Sequence, residues 1–506
     1  MTRNPSSPRR HARLACAIAA AMAASSATGT VADDADDWIR FRSDPAQRLF
    51  PALPGPRTAP PATSPAATWP VTSCDDDGAG SLRAAVAGAA SGDTIDLTAL
   101  TCSTITLGTG AIAVEMDSLT LEGPGRGLLA IDGNQLDRVL VHPYGGTLHV
   151  RGLTLRNGRI SAENFDITGG GCVASAGYLL IEDSAVRDCS SVAIGSYGGG
   201  IYAYSLALQN SVLASNHALG VHADAGTAAF GGGAFVYQML LQDSTVSGNR
   251  ADHDTAPWRT SYDIGGGIVT VRGGFVSRST IDTNFADGRG GGIATFTSMA
   301  VSNSTFSGNV AAAGSGGALF VRRPSTFDIG NSTISANSAT DGGGGIWVGA
   351  TGSYLHSSIV HGNEGGSGPA DIEDPFGITI AGSSNLVGDI GALVTLPADT
   401  LRLDPRLGPL QYNGGVTRTH ALGSGSPALD TGSNLANLPS DQRGSLFPRV
   451  DGAAADIGAF ERQQAPAGGI PMPVPALSHG LAGWLALLAG ALGAWRMRAA
   501  RWRPRP

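Results

Sequence analysis

Between residues 165 and 365 one short pattern recurs: a glycine-rich block, an alternating apolar stretch, a serine, and an asparagine five residues later. Glycine blocks start at Gly169, Gly198, Gly231, Gly265 and Gly290, with weaker copies at Gly316-Gly317-Ala318 and Gly344-Gly345-Ile346. Their serines are Ser184, Ser211, Ser244, Ser279, Ser304, Ser332 and Ser358. Five residues beyond each stand Cys189, Asn216, Asn249, Asn284, Asn309, Asn337 and Asn363. Successive serines are 27, 33, 35, 25, 28 and 26 residues apart, so a fixed inner spacing sits inside a variable period. That combination predicts one structured edge with loops of changing length elsewhere.

Residues after each serine alternate and are often β-branched, as in Ser244-Thr245-Val246-Ser247 and Ser332-Thr333-Ile334-Ser335; this is strand patterning at period two. No unit is long enough to bury its own apolar face, so the copies must stack. Propeller blades need about 40 to 50 residues, and these units are shorter. The pattern therefore predicts an all-β solenoid, a parallel β-helix over 71–400. Asparagine is expected to take the left-handed backbone at a corner and to bond the asparagine of the next coil. Each glycine block relieves crowding where the chain enters a strand. About twelve coils between 90 and 400, stacked at about 4.8 Å, give a rod on the order of 55 Å long.

The flanks carry different signals. Arg3, Arg9, Arg10 and Arg13 precede an apolar run, Leu14 to Ala24, and small residues up to Ala32. This is the layout of a cleaved signal peptide over 1–32, with Thr30-Val31-Ala32 as the expected cleavage site. Eight prolines punctuate 33–70, predicting an extended spacer. At the other end, 463–479 is a short linker. Residues 480–506 join an apolar run, Leu481 to Trp495, to five arginines. A helix there is expected to insert in a membrane, with its basic tail on the cytoplasmic side.

Composition narrows the partners. All 33 basic residues are arginine, which removes Schiff-base chemistry and the phosphate-binding lysine of a P-loop. Between residues 33 and 495 there are 24 arginines against 41 acidic residues. Such a surface repels phosphate backbones, so no nucleic-acid partner is expected.

Several motifs carry resemblances to known families. Gly80-Ser81-Leu82-Arg83-Ala84-Ala85-Val86 and Gly92-Asp93-Thr94-Ile95 resemble the entry of bacterial surface β-helix proteins of the CSLREA type. Ser81 is a suitable N-cap for a helix over Leu82 to Ala90 that lids the open end. The Gly-Gly-Gly-Ile blocks and Phe306-Ser307-Gly308-Asn309 resemble repeats of chlamydial polymorphic membrane proteins. Asn413-Gly414-Gly415, Gly425-Ser426-Pro427-Ala428, Asp441-Gln442-Arg443-Gly444 and Asp456-Ile457-Gly458-Ala459-Phe460-Glu461 resemble the choice-of-anchor Q region, here 401–462. VPALSHGLAGW followed by Arg496 resembles IPTL-CTERM and PEP-CTERM sorting signals. These resemblances imply a right-handed β-helix, a C-terminal cap, and an exported protein held at a Gram-negative envelope or released by a sorting enzyme. They imply no reaction.

The residues themselves offer candidate chemistry. Ser426, His420 and Asp430 lack the Gly-x-Ser-x-Gly elbow and read as turn residues. Asp430, Asp441, Asp451, Asp456 and Glu461 lack calcium-loop spacing and read as caps and turns. No catalytic residue, metal or cofactor is assigned. Asp183 and Asp243 occupy the position before the serine, a ladder position and not an acid–base pair. In an exported protein Cys74 and Cys102, flanking the entry helix, are expected to bridge. Cys172 and Cys189 are either a second bridge or two fillers of repeat positions.

Two consecutive corners are long, His217 to Phe230 and Arg250 to Ile264. They hold His222, Asp224, His253, Asp254, Trp258, Arg259 and Tyr262, a set suited to stacking on sugars and bonding hydroxyls. The expectation is display and binding, as an adhesin or glycan-binding protein with a polysaccharide or cell-surface glycan as partner. A lyase or hydrolase of acidic polysaccharides is the alternative.

Overall fold

The computed structural model describes residues 66–162, 167–221, 228–254, 263–349, 352–366 and 371–463. The signal segment, most of the proline-rich spacer and the apolar run at 480–506 lie outside them. Among the described residues no helix is long and apolar enough to cross a membrane.

Each coil contributes strands to three parallel sheets. Sheet I has nineteen strands, sheet II eleven and sheet III eight. Eleven strands spaced at about 4.8 Å make a rod about 48 Å long, one coil short of the twelve expected. One coil shows the rule. Ile201–Gln209 lies in sheet I, Val212–Ala214 in sheet II and His217–Gly220 in sheet III. Each pairs in register with the matching strand of the next coil, as Leu213 does with Val246. Sheet III is built from the residues just after each asparagine, which the sequence pattern had assigned to loops.

Inward positions stack by residue. Val186, Leu213, Val246, Ile281, Phe306, Ile334 and Val360 form one interior column, and Ile201, Ala234, Ile268, Ile293, Leu319 and Ile346 another. A second apolar cluster lies outside the tube, where Tyr197 stacks on Phe230 at 5.0 Å and Phe320 on Trp347 at 4.7 Å.

Both corners of sheet II are left-handed, but asparagine is not the residue that bends. The positive φ falls one residue earlier, at Ser215, Gly248, Thr283, Gly308, Ala336 and Gly362. Asn216, Asn249, Asn284, Asn309, Asn337 and Asn363 supply a side-chain ladder instead. Asn249 Oδ1 accepts from both the backbone N and the Nδ2 of Asn216, at 3.1 and 2.9 Å. Asn249 Nδ2 donates onward to Asn284 Oδ1 at 2.9 Å and back to the Leu213 carbonyl at 2.9 Å. Every rung runs the same way, so the final donor, Asn363, requires an acceptor. Asp371 Oδ1 provides it at 2.7 Å. Serines do the same at the other corner: Ser211 N donates to Ser244 Oγ, and Ser244 N to Ser279 Oγ, each at 3.1 Å. These bonds satisfy backbone groups that the corners remove from the sheets.

The ends close differently. A short helix, α1 (Leu82–Gly88), is capped by Ser81, whose hydroxyl accepts from Ala84 N. It buries Leu82, Ala85 and Val86 on the first coil and stops two residues before the expected end. Thr68–Pro70 is a strand pairing with Thr94–Asp96, so the rod begins inside the segment expected as spacer. Cys74 is bonded to Cys102, and Cys172 to Cys189. At the far end Ile378, Ile380 and Val394 pack on the core, with Ile390 and Leu396 partly buried against them.

Residues 401–462, expected as a terminal cap, instead run back along the outer face of sheet II. Thr280, Thr305 and Thr333 form one outward column there. Thr280 Oγ1 donates to the Arg418 carbonyl at 2.6 Å, Thr305 Oγ1 to Gln442 Oε1 at 2.6 Å, and Thr333 Oγ1 accepts from Ala459 N at 3.0 Å. Hydroxyls at a fixed outward position let a non-repetitive segment bond successive coils, which a purely apolar column would not.

Two outcomes test this account. Asn284→Ala and Asn284→Asp are each expected to lower unfolding stability by about 3 kcal/mol, because both lose donation to Asn309 and strand buried partners; Asn284→Asp at wild-type stability, by chemical denaturation, would contradict the ladder. Replacing Cys172 and Cys189 by serine opens a link across 17 residues and is expected to cost about 3 kcal/mol. Non-reducing peptide mapping checks the pairing directly.

Candidate functional site

The bases of the two long corners lie side by side. Gly220 pairs with His253 across sheet III, and Phe230 bridges Ile264 where the chain returns. Of the seven expected binding residues, His222, Asp224, Trp258, Arg259 and Tyr262 lie outside the described residues. His253 ends the strand Arg250–His253 and does not project from a loop. Its Nδ1 is 2.6 Å from Asp263 Oδ2 and 3.2 Å from Asp287 Oδ2. Asp263 is fully buried, and its Oδ1 accepts from Ala229 N at 2.7 Å. Burial pushes the Asp263 carboxyl up to about 6, against the pull of Ala229 N and His253. Asp254 is exposed beside it and donates its N–H to the Gly220 carbonyl.

A second site lies where the flanking segment ends. The hairpin Leu407–Gln411/Thr419–Leu422 brings Tyr412, Val416 and Arg418 over sheet II. Arg126 reaches in from the opposite side, its turn held by Thr154 Oγ1, and donates to the Asn210 carbonyl at 2.6 Å. Between them is an open groove of ≈ 250 Å³. Its floor is Val212 and Thr245, the undocked continuation of the Thr280 column, with Ala214 and Ser247 beside them. Tyr412 is 67% exposed at the rim. Arg418 is paired with the buried Asp282 carboxylate, whose carboxyl is raised by burial. Asp243 at the edge receives two bonds of 2.7 Å from Arg278. Two fixed guanidinium groups, hydroxyls and an exposed phenol ring can bind a polar ligand by hydrogen bonds and stacking.

Other candidate chemistry disperses. Ser426 donates to the Pro405 carbonyl, His420 lies between the Gly408 carbonyl and Ser307, and Asp430 accepts from Ala453 N. No triad forms from them. Two acidic residues of the flank meet arginines, and Asp430 and Asp456 accept from backbone N–H groups. Asp441 receives Arg443 at 2.9 and 2.7 Å, and Glu461 receives Arg449 at 3.0 Å. The Arg443 guanidinium is sandwiched between Phe447 and Phe460 at 3.8 and 3.9 Å. Asp183 and Asp243 both take left-handed backbone at the first corner, and Asp183 accepts from Asn210.

Sequence reasoning missed Arg126, Tyr412 and Arg418, which are 84 or more residues from the floor they border or belong to a non-repetitive segment. It also missed Asp263 and Asp287. A signal existed for Asp263, which replaces Ser196 and Ala229 two residues before the bend glycine.

Residues 303–322 match the Chlamydia polymorphic membrane protein repeat. Comparison with curated proteins gives no match. Among solved structures, the crystal structure of pectate lyase Pel9A aligns with a TM-score of 0.41 and 14% identity, covering 79% of this chain and 97% of that one.

Arg449 is fully buried with Glu461, so Arg449→Met leaves an unpaired buried carboxylate at a cost of about 3–5 kcal/mol. The expected outcome is faster proteolysis of 401–463 with the rod retained. Wild-type protease resistance would show that the ion pair does not hold the flank.

Proposed function

We propose that this is an exported β-helix protein, displayed at a Gram-negative envelope, that binds an acidic glycan in the groove between sheet II and the C-terminal hairpin. One observation carries the reading. In a chain with excess carboxylates, the groove presents two immobilised arginines beside an exposed tyrosine. Arg418 is neutralised by Asp282, whereas Arg126 bonds a carbonyl and has no carboxylate partner among the described ion pairs. That leaves one guanidinium to meet a uronate or sialate carboxylate. Tyr412 would stack on the sugar face.

Display rests on sequence features and on the matched repeat. The apolar run and arginine tail at 480–506 would hold the precursor in the membrane, and the VPALS segment would address a sorting enzyme. Residues 401–462 would be a choice-of-anchor Q-like region whose Gln442 docks on the rod, while the Asp441–Arg443 and Arg449–Glu461 pairs hold the region's own fold.

In a glycan panel, Tyr412→Ala and Arg126→Ala are each expected to weaken binding to uronate- or sialate-bearing chains about tenfold while melting stays unchanged. Retained binding would move the site elsewhere, and release of unsaturated uronides would favour a lyase instead. Deleting 480–506 is expected to release the protein from the membrane fraction; unchanged partition would refute the anchor.

A further inference from the structure

His253, Asp263 and Asp287 come from three separate places: the end of a sheet III strand, the approach to a glycine block, and the turn of the following coil. Their ligating atoms all lie within 4.8 Å of one another. Each is held independently. His253 sits in register beside Gly220, Asp263 is tied by Ala229 N at 2.7 Å, and Asp287 N donates to the Ala251 carbonyl at 3.0 Å. Gly288 permits the close approach, because a Cβ there would lie 2.1 Å from the Asp263 carbonyl oxygen.

Both carboxylates face one imidazole nitrogen. A proton on Nδ1 points in a single direction. It serves Asp263 at 2.6 Å and leaves Asp287 beside a second, fully buried carboxylate. A cation in place of that proton answers all three groups at once. We propose that His253 Nδ1, Asp263 and Asp287 bind a divalent transition cation at the root of the two long corners. Imidazole with two carboxylates suits zinc-like ions better than calcium or magnesium, which take oxygen ligands. Binding releases the Nδ1 proton to solvent. The His253 Nδ1–Asp263 Oδ2 distance opens to about 3.4 Å, as ligand bonds of about 2.1 Å in tetrahedral geometry require. Three protein ligands leave a fourth position on the side where Asp287 is 28% exposed. A water there could give way to a ligand hydroxyl or carboxylate. This site is separate from the groove and does not depend on the glycan reading.

The test uses the full-length protein, stripped with a chelator and titrated with Zn²⁺ by calorimetry. One saturable site and a raised melting temperature are expected. Co²⁺ should give the visible absorption of a four-coordinate nitrogen–oxygen site. His253→Ala and Asp287→Asn should each weaken Zn²⁺ binding by about tenfold or more. Asp287 is partly exposed, so Asp287→Asn keeps the fold and decides the matter if His253→Ala does not fold; circular dichroism checks both. Absence of saturable binding to the wild type, or wild-type affinity in Asp287→Asn, would overturn the proposal in favour of a histidine-bridged ion pair.

Discussion

A solenoid corner must turn the backbone inside the protein without leaving its N–H and C=O groups unpaired. Here the solution is two buried ladders, serine on one side of sheet II and asparagine on the other. Asparagine follows serine by five positions because a three-residue strand and one left-handed corner residue lie between them. Once those corners are fixed, the period between them on the long way round is free to vary. Sheets I and III can lengthen or open into loops, and the interior columns still stack residue on residue. The asparagine ladder also has a direction. Each side chain donates down the rod, so the ladder needs a group at its end that only accepts. Asp371 fills that place as a buried carboxylate.

The same logic explains how a non-repetitive segment attaches to a repetitive rod. Outward threonines on successive coils form a regular row of hydroxyls. Residues 417–461 bond to that row with the Gln442 side chain and with the backbone groups of Arg418 and Ala459. Where the row passes beyond the reach of this segment, it becomes the floor of the groove. Binding capacity therefore arises at the boundary between the clamp and bare sheet, with Arg126 closing the other side.

The described roots of the long corners are strands, and His253 at the end of one of them forms a cluster with the buried Asp263 and the partly exposed Asp287. Charge placed inside such a root costs desolvation, and the raised Asp263 carboxyl reflects it. A cluster of this kind is maintained against that cost by specific partners.

The sequence alone determined the repeat, the stacking of coils, the strand after each serine, the capping helix at Ser81 and the column of asparagines. Each of these depends on local spacing, and periodicity records local spacing directly. Several features were decided only by tertiary structure. The left-handed residue stands one place before each asparagine, because backbone and side-chain roles at a corner divide between neighbours. Residues 401–462 lie along the flank, because nothing in their own sequence says which outward column they meet. Arg126, Tyr412 and Arg418 share a groove, and His253, Asp263 and Asp287 a cluster, through coil stacking that brings residues tens of positions apart into contact. Stacking is set by the register of whole coils, and variable loop lengths hide that register from any fixed sequence spacing.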